Sequence, residues 1–394
     1  MSDIDGGEIE RDITAIRREI GGSGEVADVE TEDPGPPINE PFDPEKIDVV
    51  TRTPTVSLLL SRIRKGTIDL APDFQRHAGI WRDVNQSRLI ESLLLRIPLP
   101  TFYAAESAAD DSWAIVDGIQ RLTAITRFID PDSSAFKPLT LQGLDYLDFE
   151  GFRFEDLPGR LQTRLEETEV VLHLIRRGTP EEVKFNIFAR INTGGVPLSS
   201  QELRHALIPG QGRELLSELA QSLSFKRATL GTVGSSRMAD REMILRFAAF
   251  LMTKPPLYSH QDFDLFLRVA MKNINDLTTS GIIDLKKKFR RAMDTAHEIF
   301  GKYAFRKQYE VNSSRYPINK ALFETVAVTL AERNTKQLNE LVKQSEDVNL
   351  AFIELLTSDP QFERAISVGT GDVAKVRYRF QSMDELFSEF DGSS

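Results

Sequence analysis

The sequence predicts an α+β protein, a small mixed α/β module followed by a mostly α-helical region. Three observations carry this. Short apolar runs bounded by turn residues cluster between about residues 100 and 175. From Ser199 onward apolar residues recur almost throughout at helical spacing. The first 45 residues are acidic, poor in aromatics and include Asp33, Pro34, Gly35, Pro36 and Pro37, a composition that does not bury a core. The expected organisation is a disordered acidic tail over 1–45, the α/β module over 46–200 and a helical domain over 201–394.

Ordered structure is expected to begin near Ile47. Leu59, Leu60 and Ile63 predict a helix from Val56 to Lys65, ended by Gly66. A second helix is predicted over Asp83 to Leu95. Phe102 to Ala105 and Trp113 to Val116 read as strands, joined by an acidic turn at Asp110 and Asp111. Leu122, Ile125, Phe128 and Ile129 recur at helical spacing after the second of these. Val170 to Ile175 is a further strand. Pro180, Glu181 and Glu182 suit a helix start, and that helix runs through Phe185, Phe188 and Ile191 to a break at Thr193, Gly194 and Gly195. The later helices are expected at Gln201–Leu207, Arg213–Leu223, Arg241–Leu251, Asp262–Met271, Ile283–Phe300, Asn319–Ala331 and Val348–Leu356. Val376 to Phe380 fits either a strand or a helix. No internal repeat is visible.

Composition excludes several classes. No run approaches the ~18–20 apolar residues of a membrane span. The acidic, polar start is not that of a secretory signal. The chain has no cysteine, which removes disulfides, iron–sulfur clusters, cysteine zinc sites and a thiol nucleophile and fits a cytoplasmic protein. The net charge of −11 is confined to the tail: residues 1–50 hold 15 acidic and 4 basic side chains, and the rest hold 45 of each sign. An acidic total is therefore no argument against nucleic-acid binding by the body of the chain, where patches decide.

The densest polar motif follows the strand ending at Val116: Asp117, Gly118, Gln120 and Arg121, placed where a strand turns into a helix. Free N–H groups at a helix start favour anions, the guanidinium suits phosphate, and the carboxylate can hold a metal ion or orient a water. The same residues also read as an ordinary cap and local salt bridge. Two other clusters have a comparable make-up: Gln75 and Arg76 with His77 and Trp81, and Arg190, Asn192, Thr193, Gly194 and Gly195. Paired glycines let backbone approach an oxyanion, whereas the plain alternative there is a helix C-cap.

These segments together resemble one family. Asp117 to Arg121 resembles the Asp-Gly-Gln-Gln-Arg motif of the GmrS-type domain of GmrSD-like modification-dependent restriction proteins, related to the ParB nuclease-like fold. Ile119 stands where that family usually has its first Gln. Phe74, Gln75 and Arg76 with Trp81 resemble the upstream Phe/Tyr-Gln-Arg and Trp element, and Gln86 through Leu94 with Pro98 and Pro100 the helix and exit that follow. Phe188, Arg190, Asn192 and Gly194 resemble the Phe-x-Arg-x-Asn-x-Gly element. The four elements occur in family order over about residues 50–210.

The resemblance implies a ParB-like module that binds and hydrolyses a nucleoside triphosphate with Mg²⁺, in a prokaryotic anti-phage restriction setting with DNA or a nuclease protein as partner. On that basis Asp117, Gln120 and Arg121 are the expected catalytic residues, with Asp117 toward Mg²⁺. Gln75, Arg76, Gly118, Arg190, Asn192, Gly194 and Gly195 are the expected phosphate-binding residues. The alternatives are a non-catalytic DNA-binding or regulatory module with a degenerate pocket, which Ile119 favours, and a ParB-like metal-dependent nuclease.

No Gly-x-x-x-x-Gly-Lys-Ser/Thr and no strand-linked Gly-x-Gly-x-x-Gly are present. The five histidines, His77, His173, His205, His260 and His297, are scattered and read as structural or surface groups. The His-Asn-His-type nuclease half of longer GmrSD-like proteins is not seen. Glu182 and Lys184 have the Glu-x-Lys spacing of a restriction-type nuclease, but on a predicted helix. The strongest basic run is Lys286, Lys287, Lys288, Arg290 and Arg291, either a DNA-phosphate contact or a solvated helix face.

Overall fold

The structure, a computed structural model, describes residues 29–30, 44–69, 81–107, 111–134, 137–191, 198–260 and 262–392. The tail read as disordered lies outside them except for Val29, Glu30, Pro44 and Glu45, the last two in a 3-10 turn over Pro44–Lys46. The chain divides into two units, one of Glu40–Leu207 and one of Ile208–Ser394 together with residues 1–39.

The first unit is built on a five-stranded mixed sheet of order β1-β5-β3-β4-β2. The strands are β1 (Val49–Arg52), β2 (Ile68–Asp69), β3 (Phe102–Glu106), β4 (Trp113–Asp117) and β5 (Leu172–Ile175). β1 runs antiparallel to β5, β5 parallel to β3, β3 antiparallel to β4, and β4 parallel to β2. The β3–β4 register shifts between Tyr103 and Ala104, so Tyr103 lies opposite Asp117 while Ala104 lies opposite Ile115. Such a bulge bends the strand and re-aims side chains at its end.

Among the described residues the α-helices of the unit are α1 (Val56–Arg64), α2 (Asp83–Leu94), α3 (Ile119–Ile129), α4 (Gly159–Glu167), α5 (Glu181–Ile191) and α6 (Ser200–Leu207). Thr55 caps α1 by accepting a hydrogen bond from the Leu58 N–H at 3.3 Å. Helices α1, α2 and α3 each bury one apolar stripe: Val56, Leu59 and Leu60; Ile90, Leu93 and Leu94; Leu122, Ile125 and Phe128. Phe102, Ala104, Leu172 and Leu174 of the sheet are buried as well. α2 packs on α3 and α4, α1 packs on α4, and α5 and α6 pack on each other and on β4. The unit therefore extends through α6, past residue 200, because α6 belongs to this packing.

One buried carboxylate organises the long connection after α3. Glu91 accepts hydrogen bonds from the N–H groups of Asp145 (3.0 Å), Tyr146 (2.8 Å) and Leu147 (2.8 Å). Burial pushes its pKa up, but the three N–H donors and Arg88 outweigh burial, and the net displacement is below the ordinary carboxyl value.

The second unit is helical among its described residues: α7 (Gln211–Gln221), α8 (Leu223–Ala228), α9 (Ala239–Met252), α10 (Phe263–Asn275), α11 (Thr279–Phe300), α12 (Lys320–Glu332), α13 (Thr335–Lys343), α14 (Ser345–Ser358), α15 (Pro360–Ser367) and α16 (Val373–Phe390). α9 and α12 pack together near its centre and are buried nearly all round. A ring cluster of Phe225, Phe247, Phe289 and Phe323 joins α8, α9, α11 and α12. A charged chain runs through the same core. Arg379 and Glu324, both fully buried, form an ion pair; Arg246 lies 3.5 Å from Glu324 and 2.8 Å from Glu242; Lys320 reaches Glu242 at 3.1 Å. Val376 to Phe380, open to either reading from sequence, lies within α16. No described helix is long and apolar enough to cross a membrane.

Candidate functional site

β4 is an apolar strand whose last residue, Asp117, is only half buried. Gly118 then reverses the chain in the left-handed region (φ +93°, ψ 7°) and serves as the N-cap of α3. Two constraints require glycine there. Positive φ is costly for residues with a Cβ, and a Cβ at this position would lie 2.4 Å from Cδ1 of the buried Phe102 ring. The close approach of the turn to β3 sets where Asp117 and the first N–H groups of α3 sit.

Arg121 locks this turn from below. Its guanidinium donates to the Pro100 carbonyl, to the Thr101 carbonyl at 3.2 Å and to Oδ2 of Asp117 at 2.8 Å, and it stands 4.6 Å from the Phe102 ring centroid. The side chain is 9% exposed. Burial pulls the Arg121 pKa below its ordinary value, and the Asp117 charge opposes that pull. Arg121 is thus a positioning residue for Asp117 and for the β3 approach. Oδ1 of Asp117 accepts no hydrogen bond among the described residues.

Gln120 ties the turn to α2. Its Oε1 accepts from the Trp81 N–H at 3.3 Å, Gln86 Nε2 donates to the Trp81 carbonyl at 2.7 Å, and Arg127 donates to Gln86 Oε1 and Asp83 Oδ1, both at 2.8 Å. Ile119 is 4% exposed. At the position where the family usually carries its first Gln, this chain puts an apolar side chain into the core.

The other expected residues are placed as follows. Gln75, Arg76, Asn192, Gly194 and Gly195, with His77 and Thr193, lie outside the described residues. Arg190 is exposed in the last turn of α5. In α11, Lys286 and Arg290 both pair with Glu218 of α7, Lys288 pairs with Asp284 at 3.0 Å, and Arg291 donates to the carbonyls of Ala331 and Arg333. Lys287 is exposed. Most of this run thus serves contacts within its own unit. Glu182 and Lys184 lie on α5, where residues two apart face different sides; Lys184 Nζ donates to the Glu106 carbonyl at 3.4 Å.

A polar row that sequence reading missed leads away from Asp117 across the sheet. In register, Asp117 on β4 stands beside Tyr103 on β3, Tyr103 beside His173 on β5, and His173 beside Thr51 on β1. Thr51 Oγ1 and His173 Nδ1 are hydrogen-bonded at 2.9 Å, and the Tyr103 and His173 rings lie 5.1 Å apart between centroids. Tyr103, His173 and Asp117 are half-buried and Thr51 is exposed. The signal was the alternation in Leu172, His173 and Leu174: a polar residue between two core residues of a strand faces away from that core.

With the turn and its neighbours in place, the comparison with known families is decisive for this segment. Residues 56–209 match the family model described as GmrSD restriction endonuclease, N-terminal domain. This segment is a GmrSD-type domain. The match takes in the whole Asp117–Arg121 turn, Tyr103 and His173, and it runs two residues past the end of α6. Thr51 and β1 precede it. The match is to the N-terminal domain of a restriction endonuclease family and covers this segment alone. No curated protein matches the chain.

Among the described residues no group of three or more His, Cys, Asp or Glu side chains is arranged to hold a metal. The donor set at the turn nonetheless fits Mg²⁺ of one kind. A hard cation commonly takes one or two carboxylates and completes its shell with phosphate oxygens and water. Asp117, with Oδ1 open, suits a cation that arrives with a phosphate ligand.

Proposed function

We propose that this chain is a prokaryotic restriction-type protein whose GmrSD-type domain binds and hydrolyses a nucleoside triphosphate, with turnover coupled to DNA recognition or to a nuclease partner. The observation that carries this reading is Asp117, held at the head of α3 by a buried arginine with one carboxylate oxygen open. The first N–H groups of α3 and the positive end of its dipole favour the phosphate anion. Asp117 orients a water toward the terminal phosphorus; the water oxygen bonds to phosphorus, the bridging P–O bond breaks, and the proton leaves through the carboxylate to solvent. Mg²⁺, which Asp117 would hold through the cation's water shell, would neutralise charge on the phosphates. Arg121 holds Asp117 in place through its hydrogen bond to Oδ2. DNA as partner rests on the restriction character of the domain.

A second reading, a non-catalytic DNA-binding or regulatory module, is favoured by the commitment of polar groups to the fold: Arg121 donates to two main-chain carbonyls and Gln120 accepts from the Trp81 N–H. The two separate in one assay. Phosphate release from ATP, GTP, CTP and UTP with Mg²⁺, with and without duplex DNA, is compared for the wild type and Asp117→Asn. Asparagine keeps an oxygen for Arg121, and circular dichroism of the variant checks that it is folded. Turnover by the wild type and its loss in the variant by 10²-fold or more is the expected result. Turnover that survives Asp117→Asn refutes the assignment, and DNA binding with no release from any nucleotide establishes the second reading. A ParB-like nuclease would instead nick plasmid without triphosphate.

A further inference from the structure

The row Thr51–His173–Tyr103 calls for an explanation beyond packing. Its strand neighbours Phe102, Ala104, Leu172 and Leu174 are buried in the core, so the row belongs to the opposite side of the sheet. Two residues further along the same side, Ala105 and Ile175 are buried. The partly open part of this face is therefore the end at which β4 delivers Asp117 to the Gly118 turn. His173 is held by one ring nitrogen: Nδ1 bonds the Thr51 hydroxyl, and among the described residues Nε2 has no hydrogen-bond partner. Because the hydroxyl can donate or accept, Nε2 can meet either an acceptor or a donor. Tyr103, beside it, adds a half-buried aromatic ring.

Distance decides what such a row can do. Adjacent strands lie about 4.8 Å apart, so Asp117 and His173, two strands apart, are separated by roughly 10 Å of sheet. That is too far for both to act on one phosphorus. It is comparable with the reach of an extended triphosphate from its terminal phosphorus to its sugar. We infer that Tyr103, His173 and Thr51 form the nucleoside half of the site, with the base against the Tyr103 and His173 rings and a polar atom of the base or ribose on His173 Nε2, while the phosphates lie toward Asp117 and the start of α3. This rests on the nucleotide reading given above and adds to it which residues hold the nucleoside.

The test compares a ligand that has a base with one that lacks it. Binding of ATP, GTP, CTP and UTP and of inorganic tripolyphosphate, all with Mg²⁺, is measured calorimetrically on the full chain. The wild type should bind its preferred nucleotide more tightly than tripolyphosphate. Tyr103→Ala should weaken the nucleotide about 5- to 100-fold, the range of one base–aromatic stack, and leave tripolyphosphate within about twofold. Tyr103→Phe should restore most of the loss. Thr51→Val, on an exposed edge strand, frees His173 with little demand on folding and should weaken only the nucleotide, by a smaller factor. Equal losses for both ligands, or no loss for either, in Thr51→Val and Tyr103→Ala overturn the inference and leave the nucleotide reading intact. Tripolyphosphate binding as tight as that of every nucleotide does the same. A wild type that binds neither ligand overturns both.

Discussion

Replacing Gly118 by alanine tests the geometry on which the site depends. Two costs add at this position. A Cβ in the left-handed region costs about 1–2 kcal/mol, partly offset by the stiffer unfolded chain. The new methyl would also stand 2.4 and 2.8 Å from Cδ1 and Cε1 of Phe102. That ring has little freedom to move, since it is 1% exposed and faces the Arg121 guanidinium at 4.6 Å. Overpacking of this kind costs about 1–3 kcal/mol, for a total of about 2–5 kcal/mol. Gly66 provides the comparison. It has a similar φ of +67°, and a methyl group added there would meet nothing within 4 Å, so Gly66→Ala should show the backbone cost alone, about 1 kcal/mol. Both tryptophans, Trp81 and Trp113, belong to the Glu40–Leu207 unit, and their fluorescence reports its melting. For a unit of this size about 2–4 °C is lost per kcal/mol, so Gly118→Ala should melt roughly 5–15 °C below the wild type and Gly66→Ala only a few degrees below. Equal shifts for the two variants would refute the claim that Phe102 closes off this turn.

Two further predictions concern buried carboxylates. Glu91→Gln should cost about 1–3 kcal/mol at neutral pH, since it weakens three N–H acceptor contacts. Because the folded pKa of Glu91 lies below its unfolded value, the carboxylate's contribution is complete above the unfolded value and is lost as pH falls through the folded one. The gap between wild type and variant in urea midpoint, followed by tryptophan fluorescence, should therefore narrow below about pH 4; a gap independent of pH would contradict this role. Glu324→Gln leaves Arg379 and Arg246 without their shared carboxylate and should destabilise the helical unit by about 3–5 kcal/mol. Glu324→Leu combined with Arg379→Met should recover much of that in far-ultraviolet circular dichroism melts, and a double variant no better than the single one would count against it.

The elements legible in the sequence were those set by local pattern. An apolar run, an Asp-Gly turn and a helical repeat are all contained in Trp113 to Ile129, and the strand, turn and helix lie there. β1 and β2 were not legible. They have four and two residues, β1 is largely exposed, and both exist through pairing with distant strands. The same reason hid the polar row: Tyr103 and His173 are seventy positions apart and meet only because β3 and β5 run parallel. The basic run of α11 shows the converse. Its charges were plain, but Glu218 on α7 and the carbonyls at the end of α12, which engage four of its members together with Asp284, could not be read from the run itself.

Ile119 bears most directly on the choice between hydrolase and binder. Read as a motif, its replacement of a glutamine removes an amide from the site and points to lost chemistry. In the fold the side chain at 119 is in the core, where an amide would need buried partners of its own. The substitution therefore alters packing beneath the turn, while the groups that face outward or set its geometry, Asp117, Gly118 and Arg121, are retained. Arg121 in turn directs its donors to Pro100, Thr101 and Asp117, so cationic contact with phosphate under the proposed function must come from another side chain or from the bound metal. A hydrolase of this design depends on a single carboxylate, which is why Asp117→Asn separates the two readings more sharply than any change at Ile119.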